Sequence, residues 1–384
     1  MRHGGDVSPD AAATEAASRS GGADTPTQQN GRLRIADVAL FYGPRSGGIR
    51  TYLNAKAAYA ESSGAFEHHL LVPGASERHE RGRHELPSLA FSRANGYRLP
   101  LGTRALKRTL RTIGPDIVLL HDPFWSPRGA ARLAHELGAR VVAVQHGTSE
   151  LYATVAPAPT RLLAPLVRGW LRRAYASADA VLAASPVDSG LWRGPAIPLR
   201  LGLDPAFRPL PEVDRAAHLL YVGRLAREKG VFELLQAAAK SVWPLTLIGA
   251  GPAKARLETK ARRLRLSDRL VIKPFLTDRA ELARAYAAAS CVVVPGELES
   301  CPFVALEAVA SGASVVSCAN NAAAALLGTQ LETFAPRTAG ALAVAIERAR
   351  LRKPDYVAAA ELASQLSWPR VFVAELDALA RLLR

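Results

Sequence analysis

Short apolar runs alternate with helical stretches along most of this chain. In the second half, the predicted strands span about 218–223, 245–249, 269–274, 291–294 and 313–317, with helical stretches such as Phe232–Lys240 and Arg279–Ala289 between them. Alternation of this kind produces parallel sheet, because each crossover helix returns the chain to the same end of the sheet. The sequence therefore predicts an α/β fold.

Length and proline distribution indicate two domains. A chain of 384 residues with 49% apolar content can bury two cores. Pro205, Pro209 and Pro211 cluster after a first set of predicted strands, which include Leu33–Tyr42 and Ala139–Gln145. We therefore expect a disordered tail at residues 1–30, a first domain at 31–205, a second domain at 206–366 and a C-terminal helix at 367–384.

The segment Pro295–Gly312 carries the clearest chemical pattern. It follows the apolar run Ser290–Val294, breaks at Pro-Gly and becomes rich in Leu, Ala and Glu, which predicts a strand, a loop and a helix starting near Pro302. Glu299 then lies in the loop and Glu307 in the helix. Amides of a first helical turn, here in residues 301–304, suit phosphate, whereas carboxylates accept hydrogen bonds from sugar hydroxyls. An isolated pair of glutamates is more often ordinary surface, but this segment suits a nucleotide-sugar.

Two patterns precede this segment and give it a family context. Gly-Arg at 223–224 ends a predicted strand and precedes Lys-Gly at 229–230, and Gly-Ala-Gly-Pro at 249–252 ends the next strand. Their order, followed by the two glutamates, resembles the donor half of the GT-B retaining glycosyltransferases. The resemblance implies two facing Rossmann-like parallel-sheet domains with a cleft between them. It also implies that the C-terminal helix crosses back to the first domain.

The N-terminal string Phe-Tyr-Gly-Pro-Arg-Ser-Gly-Gly-Ile-Arg-Thr at 41–51 resembles a subgroup, the actinobacterial GDP-mannose-dependent α-mannosyltransferases that act on lipid acceptors. Leu71–Gly74 and Gly96–Arg98 also fit that subgroup. The resemblance implies transfer of mannose from GDP-mannose to a lipid or glycolipid acceptor, with retention of configuration. Two alternatives remain: a UDP-sugar-dependent enzyme of the same fold in polysaccharide or small-molecule glycoside synthesis, and a catalytically silent nucleotide-sugar-binding module.

The resemblance also implies a role for each candidate residue. His146, at the carboxyl end of a predicted strand, would contact the donor sugar and the developing charge, and Glu299 would bind hydroxyls of the transferred hexose. His121 and Asp122 would extend toward the cleft from the preceding strand. The remaining assignments are Arg224, Lys229, Gly48, Phe303 and Val304 to the donor diphosphate, Glu307 to the ribose, Gly47 and Gly48 to an acceptor and phosphate loop, and Lys273, Pro274 and Phe275 to the base pocket.

Composition limits the partners. No Asp-x-Asp occurs, which agrees with metal-independent transfer in which basic residues and helix dipoles take the place of a divalent ion, so neither a metal nor a cofactor is expected. The odd number of cysteines, 3, favours a reducing compartment such as the cytoplasm. The net charge of +15 favours anionic partners. Four basic residues follow helical spacing on one face: Arg104, Lys107, Arg108 and Arg111. Four others, Arg161, Arg168, Arg172 and Arg173, surround the apolar residues Leu162, Leu163, Leu166, Trp170 and Leu171.

These basic faces suit an anionic membrane surface, although ordinary solvated helices would show the same pattern. A Rossmann oxidoreductase is disfavoured, because Lys254 replaces the third glycine of the Gly-x-Gly-x-x-Gly fingerprint. No nucleic-acid-binding motif accompanies the charge. The expected partners are therefore a nucleotide-sugar donor, a lipid or glycan acceptor and an anionic membrane surface, at the inner face of the plasma membrane, with no nucleic acid.

Overall fold

The computed structural model describes residues 31–40, 42–43, 47–90, 98–121, 127–153, 160–184, 191–297, 299 and 301–384. Residues Leu33–Arg384 form one compact unit. The predicted tail at 1–30, Asp122 and parts of the strings at 41–51 and 96–98 lie outside the described residues.

The first domain contains a mostly parallel sheet. Its described strands are β1 (Arg34–Val38), β2 (Glu67–Gly74), β3 (Arg78–Glu80), β4 (Arg83–Ala90), β5 (Arg98–Pro100), β6 (Ile117–Leu120), β7 (Arg140–Gln145), β8 (Ala180–Ala183) and β9 (Ala196–Pro198). They are ordered β3-β4-β2-β1-β6-β7-β8-β9. Pairing is parallel from β4 to β9, whereas β3 and β5 pair with β4 in the antiparallel sense.

Helices cover both faces of this sheet. They are α1 (Gly48–Ser63), α2 (Arg104–Ile113), α3 (Pro127–Glu136), α4 (Ser149–Ala153) and α5 (Thr160–Tyr175). Alternate residues of β1 enter separate cores, because successive strand side chains point to opposite faces. Ile35 packs in the cluster that contains α1, whereas Ala36 packs in the cluster that contains α2 and α3. Asp37 therefore lies on the face covered by α1.

The second domain is a fully parallel sheet with helices between its strands. The strands are β10 (Ala216–Val222), β11 (Leu245–Ile248), β12 (Leu270–Lys273), β13 (Ala289–Val294), β14 (Val315–Cys318) and β15 (Glu332–Phe334), ordered β12-β11-β10-β13-β14-β15. The helices are α6 (Val231–Ala238), α7 (Lys254–Arg263), α8 (Arg279–Ala288), α9 (Phe303–Ala310), α10 (Ala322–Leu327), α11 (Ala339–Leu351) and α12 (Tyr356–Gln365). The predicted α/β fold is confirmed, and the five expected strands begin and end within two residues of their predicted bounds.

The C-terminal helix α13 (Trp368–Ala380) packs against the first domain. Its Phe372 ring stacks on Tyr59 of α1 at a centroid distance of 5.5 Å and on Trp368 at 5.2 Å. Gly202 allows its segment of the chain to pass close to the Trp368 ring, because a Cβ at position 202 would lie 2.1 Å from that ring. Within the described part of the chain, every helix is too short or too polar to cross a membrane.

Candidate active site

Glycines allow three loops to meet at the carboxyl edge of the second sheet. Gly249 has φ +148°, and a Cβ on it would lie 2.0 Å from the Gly223 carbonyl oxygen. Gly230 has φ +71°, and a Cβ there would lie 2.6 Å from the Pro295 carbonyl oxygen. No side chain fits either position. The loops after β10, β11 and β13 therefore touch where ligands bind in open α/β sheets.

The predicted cations and one carboxylate lie on these loops. Lys229 Nζ forms an ion pair with Glu299 Oε1, and the two side chains are 29% and 17% exposed. Arg224 forms an ion pair with Glu228 and is 46% exposed. A lysine ammonium donates to phosphate oxygens, whereas a carboxylate accepts from sugar hydroxyls. The Lys229–Glu299 pair therefore places a group that can donate to phosphate beside a group that can accept from a sugar hydroxyl.

The predicted anion site at the start of α9 needs one correction. The amide of Phe303 is not unpaired, since it donates a hydrogen bond to the Cys301 carbonyl oxygen at 2.9 Å. The cause is local: Pro302 has φ −84° and ψ +57°, which closes an inverse γ-turn around it. Phe303 therefore contributes its ring to this region, and its amide is not an available phosphate donor. Val304 is the next helical residue and is half-buried.

Glu307 lies inside α9 as predicted and is 5% exposed. Tyr286 donates a hydrogen bond to its Oε2 at 2.9 Å, and Arg279 Nη1 lies 3.7 Å from its Oε1. Burial raises the pKa of Glu307 to about 7, although Arg279 and Tyr286 act to lower it. The carboxyl group therefore changes charge near neutral pH, and only its anionic form could accept hydrogen bonds at both oxygens.

The two domains meet beside this glutamate. A Cβ on Gly48, the first residue of α1, would lie 2.8 Å from the Phe303 ring. Arg279 Nη2 lies 3.5 Å from Thr51 Oγ1, also on α1. A Cβ on Gly47 would meet nothing within 4 Å. The start of α1 therefore faces the start of α9, and the structure brings Gly48 close to Phe303.

His146 follows β7, and His121 follows β6. Their rings stack at a centroid distance of 5.1 Å, and His121 Nδ1 lies 2.8 Å from His146 Nε2. Burial lowers the pKa of His146 well below its usual value, and the neighbouring His121 lowers it further, so His146 is neutral at pH 7. His121 was expected to face the cleft. That expectation is wrong, because His121 is 1% exposed and supports His146 from behind.

A buried polar network behind His121 was not found by sequence reasoning. Asp37 Oδ1 lies 2.6 Å from His121 Nε2, and Asp37 Oδ2 lies 2.7 Å from His68 Nε2. Lys56 Nζ lies 3.1 Å from Asp37 Oδ2 and 3.0 Å from Glu375 Oε1 of α13. One sequence signal was present: Asp37 interrupts the apolar strand β1, and a charged residue inside a buried strand indicates a partner.

The residues predicted for the base pocket lie at the end of the edge strand β12. Lys273 is its last residue, and the Gly249 amide donates to the Lys273 carbonyl oxygen at 3.0 Å. Pro274 and Phe275 follow and are exposed, Phe275 by 56%. They are thus next to the loop after β11, at the same edge of the sheet as Lys229 and Glu299.

Comparisons with known proteins agree with this architecture. The family model for Glycosyl transferases group 1 matches residues 205–362, and the model for Glycosyltransferase Family 4 matches residues 46–190. The chain is 30% identical over 309 residues to a GDP-mannose-dependent alpha-(1-6)-phosphatidylinositol dimannoside mannosyltransferase of Mycobacterium tuberculosis, covering 74% of this chain and 79% of that protein. It is 29% identical over 309 residues, with the same coverage, to a GDP-mannose-dependent alpha-mannosyltransferase of Mycobacterium tuberculosis.

Solved structures share the whole fold. Sucrose-phosphate synthase from Thermosynechococcus elongatus superposes with a TM-score of 0.72 at 19% identity, covering 92% of this chain and 99% of that one. Anabaena HepE in complex with UDP and glucose superposes with a TM-score of 0.69 at 16% identity, covering 91% and 100%. At such identities the likeness concerns the fold alone.

The two parallel-sheet domains, the two glycosyltransferase family models and the 30% identical relative together identify a GT-B glycosyltransferase. The chain belongs to the group 1 glycosyltransferases, with a first domain of Glycosyltransferase Family 4.

Proposed function

We propose that this glycosyltransferase moves mannose from GDP-mannose to a lipid or glycolipid acceptor at the cytoplasmic membrane face. The 30% identity to a mannosyltransferase named as GDP-mannose-dependent, over most of both chains, is the observation that carries the donor assignment. A second mannosyltransferase, at 29% identity, is also named as GDP-mannose-dependent. Because the first relative's name includes phosphatidylinositol dimannoside, it supports a glycolipid acceptor.

The site residues support transfer from a nucleoside diphosphate sugar. Negative charge develops on the leaving diphosphate, and Arg224 and Lys229 would offset it as fixed cations, worth roughly 3–4 kcal/mol by comparison with other preorganised donors. Glu307 would hold the ribose hydroxyls and Glu299 the hexose, with His146 beside the sugar. We propose retention of anomeric configuration and no requirement for a divalent metal, since Arg224 and Lys229 would offset the charge that a metal could otherwise neutralise.

The first domain supports a membrane-facing acceptor site. Arg104, Arg108 and Arg111 are exposed on α2. On α5, Leu162 and Leu166 are 63% and 71% exposed. Arg161, next to Leu162 in α5, is also exposed. A cation beside exposed leucines on one helix fits the headgroups and outer acyl region of an anionic bilayer.

A UDP-sugar donor is the principal alternative. One structural neighbour was solved with UDP and glucose, which supports a test of that donor class on this fold. A catalytically silent binding module would keep the donor site without turnover.

The first experiment compares donors on purified protein. Thermal stabilisation and nucleotide release are measured with GDP-mannose, UDP-glucose and UDP-N-acetylglucosamine, each with and without EDTA, and with Glu307→Ala as the site variant. Stabilisation by GDP-mannose alone, unchanged by EDTA and lost in the variant, is the expected result. A response to a UDP sugar instead would overturn the mannose assignment. Stabilisation without release in the presence of glycolipid acceptors would favour the silent module.

A further inference from the structure

We propose that Asn321 is a positioning residue that holds the loop carrying Glu299 in place beside Lys229. Asn321 lies between β14 and α10 and is 2% exposed. This role rests on the proposed function, in which Glu299 binds hydroxyls of the transferred hexose. Asn321 acts on the donor through this loop.

The side-chain amide of Asn321 joins two segments of the second domain. Its Nδ2 donates a hydrogen bond to the Gly296 carbonyl oxygen at 2.8 Å, and its Oδ1 accepts one from the Ala323 amide at 2.9 Å. The partners fix the orientation of the side chain, because a carbonyl oxygen can only accept and a backbone amide can only donate. The bond from Ala323 caps α10, whereas the bond to Gly296 reaches the loop after β13.

The neighbouring backbone holds the other end of the same loop segment. The Ala322 amide donates to the Glu299 carbonyl oxygen at 3.2 Å. Asn321 therefore holds the loop at Gly296, and the next residue along the chain holds it at Glu299. Two hydrogen bonds at the two ends of a short segment restrict its conformations, and this segment presents the Glu299 carboxylate.

The held segment contacts the loop that carries Lys229. A Cβ on Gly296 would lie 3.5 Å from the Lys229 Cα, and Lys229 Nζ forms an ion pair with Glu299 Oε1. Lys229 is held independently by its own loop, where its amide donates to the Ala226 carbonyl oxygen at 3.1 Å. Displacement of Gly296 would therefore move the carboxylate relative to a cation that stays in place.

A second and more exposed set of contacts holds the same loop. Asn320 Nδ2 donates to Glu297 Oε1 at 2.8 Å, and Arg337 Nη1 lies 3.7 Å from Glu297 Oε2. Arg337 also pairs with Glu233 of α6 at 2.8 Å. Because these side chains are partly in solvent, their ion pairs contribute less than a buried contact. Asn321 is therefore the contact to test.

Two substitutions separate the contact with the loop from the helix cap. Asn321→Ser keeps a capping oxygen, because serine caps helices about as well as asparagine, but it lacks the nitrogen that reaches Gly296. Asn321→Ala removes both bonds. Donor binding should fall equally in the two variants, whereas thermal stability should fall more in Asn321→Ala. If donor affinity were lost only in Asn321→Ala, Asn321 would act as a helix cap and the positioning role would be wrong.

Calorimetry on the full-length protein compares GDP-mannose with GDP, since only GDP-mannose carries the hexose. We expect Asn321→Ser to raise Kd for GDP-mannose roughly 3- to 10-fold, the range that one neutral hydrogen bond supports, and to change Kd for GDP little. In a protein that already carries Glu299→Ala, Asn321→Ser should weaken GDP-mannose binding little further. An equal loss for GDP, or additive effects of the two substitutions, would contradict the positioning role.

The same comparison with UDP-glucose and UDP keeps this test separate from the donor assignment. If the protein binds UDP-glucose instead, the mannose assignment is wrong, and the difference between nucleotide-sugar and nucleotide still tests Asn321. The control variant is Asp355→Ser, which changes the cap of another helix, α12, and should leave both dissociation constants unchanged.

Hydrogen exchange without substrate tests the contact itself. We expect the loop after β13 and the start of α10, including the Ala322 amide, to exchange faster in Asn321→Ser than in the wild-type protein or in Asp355→Ser. Unchanged exchange would overturn the proposal. If the wild-type protein bound neither donor, the proposed function would fail, and the exchange rates would still decide whether Asn321 holds this loop.

Discussion

At the scale of single residues, the pKa of Glu307 connects its burial to donor binding. Burial raises that pKa to about 7, and Arg279 acts against the rise. Because the ionised carboxylate accepts the ribose hydroxyls in the proposed role, donor affinity should increase as pH rises through 7. We predict that KM for the nucleotide-sugar falls between pH 6 and pH 8 and then levels.

Arg279→Ala should shift this dependence, because removal of the nearby positive charge raises the pKa of Glu307 further. The midpoint of the KM profile is expected to move to higher pH. Arg284→Ala is the control, since Arg284 is exposed on the same helix. Steady-state kinetics from pH 5.5 to 9 measure both variants. An unchanged midpoint in Arg279→Ala would contradict the assignment of the titration to Glu307.

The positions of candidate site residues could be predicted from the sequence where those residues belong to one local pattern. Glu299 and Glu307 occur in one strand–loop–helix unit, so their positions relative to α9 followed from chain order. The γ-turn at Pro302 was missed, because proline at the start of a helix is usually compatible with helical geometry. The role of His121 was also misread, since the end of a strand does not reveal which partner lies behind it.

At the scale of elements, the meeting of α1 and α9 depends on Gly48. An alanine Cβ there would lie 2.8 Å from the Phe303 ring, which is closer than carbon atoms tolerate. We predict that Gly48→Ala lowers the free energy of unfolding by about 1–3 kcal/mol, the usual effect of overpacking. Denaturant unfolding without substrate provides the measurement.

Gly169→Ala is the matched control, because Gly169 lies inside α5, where alanine is compatible with the helix, and a Cβ there would meet nothing within 4 Å. Gly48→Ala should cost less stability in a protein that already carries Phe303→Leu than in the wild-type protein, because leucine is smaller than the phenylalanine ring. Equal unfolding curves for Gly169→Ala and Gly48→Ala would show that the Phe303 ring moves aside without a cost in stability.

The anchoring of α13 depends on a charge inside the first domain. Glu375 is 5% exposed and accepts hydrogen bonds from Tyr52 at 2.6 Å, and Lys56 Nζ lies 3.0 Å from it. Glu375→Gln removes one of the two carboxylates beside a buried ammonium, and loss of such a partner costs about 3–5 kcal/mol. We therefore expect a large fall in the unfolding midpoint.

Asp377→Asn removes an exposed carboxylate from the same helix and should change stability little. Both variants are compared by thermal and denaturant unfolding. If Glu375→Gln were as stable as Asp377→Asn, the buried pair would not be what holds this helix.

At the scale of the whole molecule, the limits of sequence reasoning follow from chain separation. Local apolar periodicity indicates the alternation of strands and helices, so two parallel-sheet domains could be predicted. The Tyr52–Glu375 contact joins residues separated by 323 positions, and no local pattern specifies that pairing. A helix at the C-terminus was evident, whereas the buried charges that hold it became visible only in three dimensions.

The net charge of +15 is the whole-molecule property that bears on the proposed membrane surface. Each basic residue near an anionic bilayer contributes about 1 kcal/mol, and salt screens that attraction. We predict that the protein sediments with phosphatidylglycerol vesicles at low salt, that high salt weakens this binding, and that phosphatidylcholine vesicles bind little. Salt dependence alone would not locate the contact, because any cationic protein shows it.

The location is tested with exposed leucines. Leu162→Ser/Leu166→Ser changes the two exposed leucines of α5, whereas Val242→Ser/Leu351→Ser changes residues of the second domain that are 76% and 84% exposed. The net charge is the same in both variants, so only the site of apolar contact differs. Weaker vesicle binding in the α5 variant alone would place the first domain on the bilayer. Equal binding by the two variants would mean that attraction is purely electrostatic and that α5 does not insert.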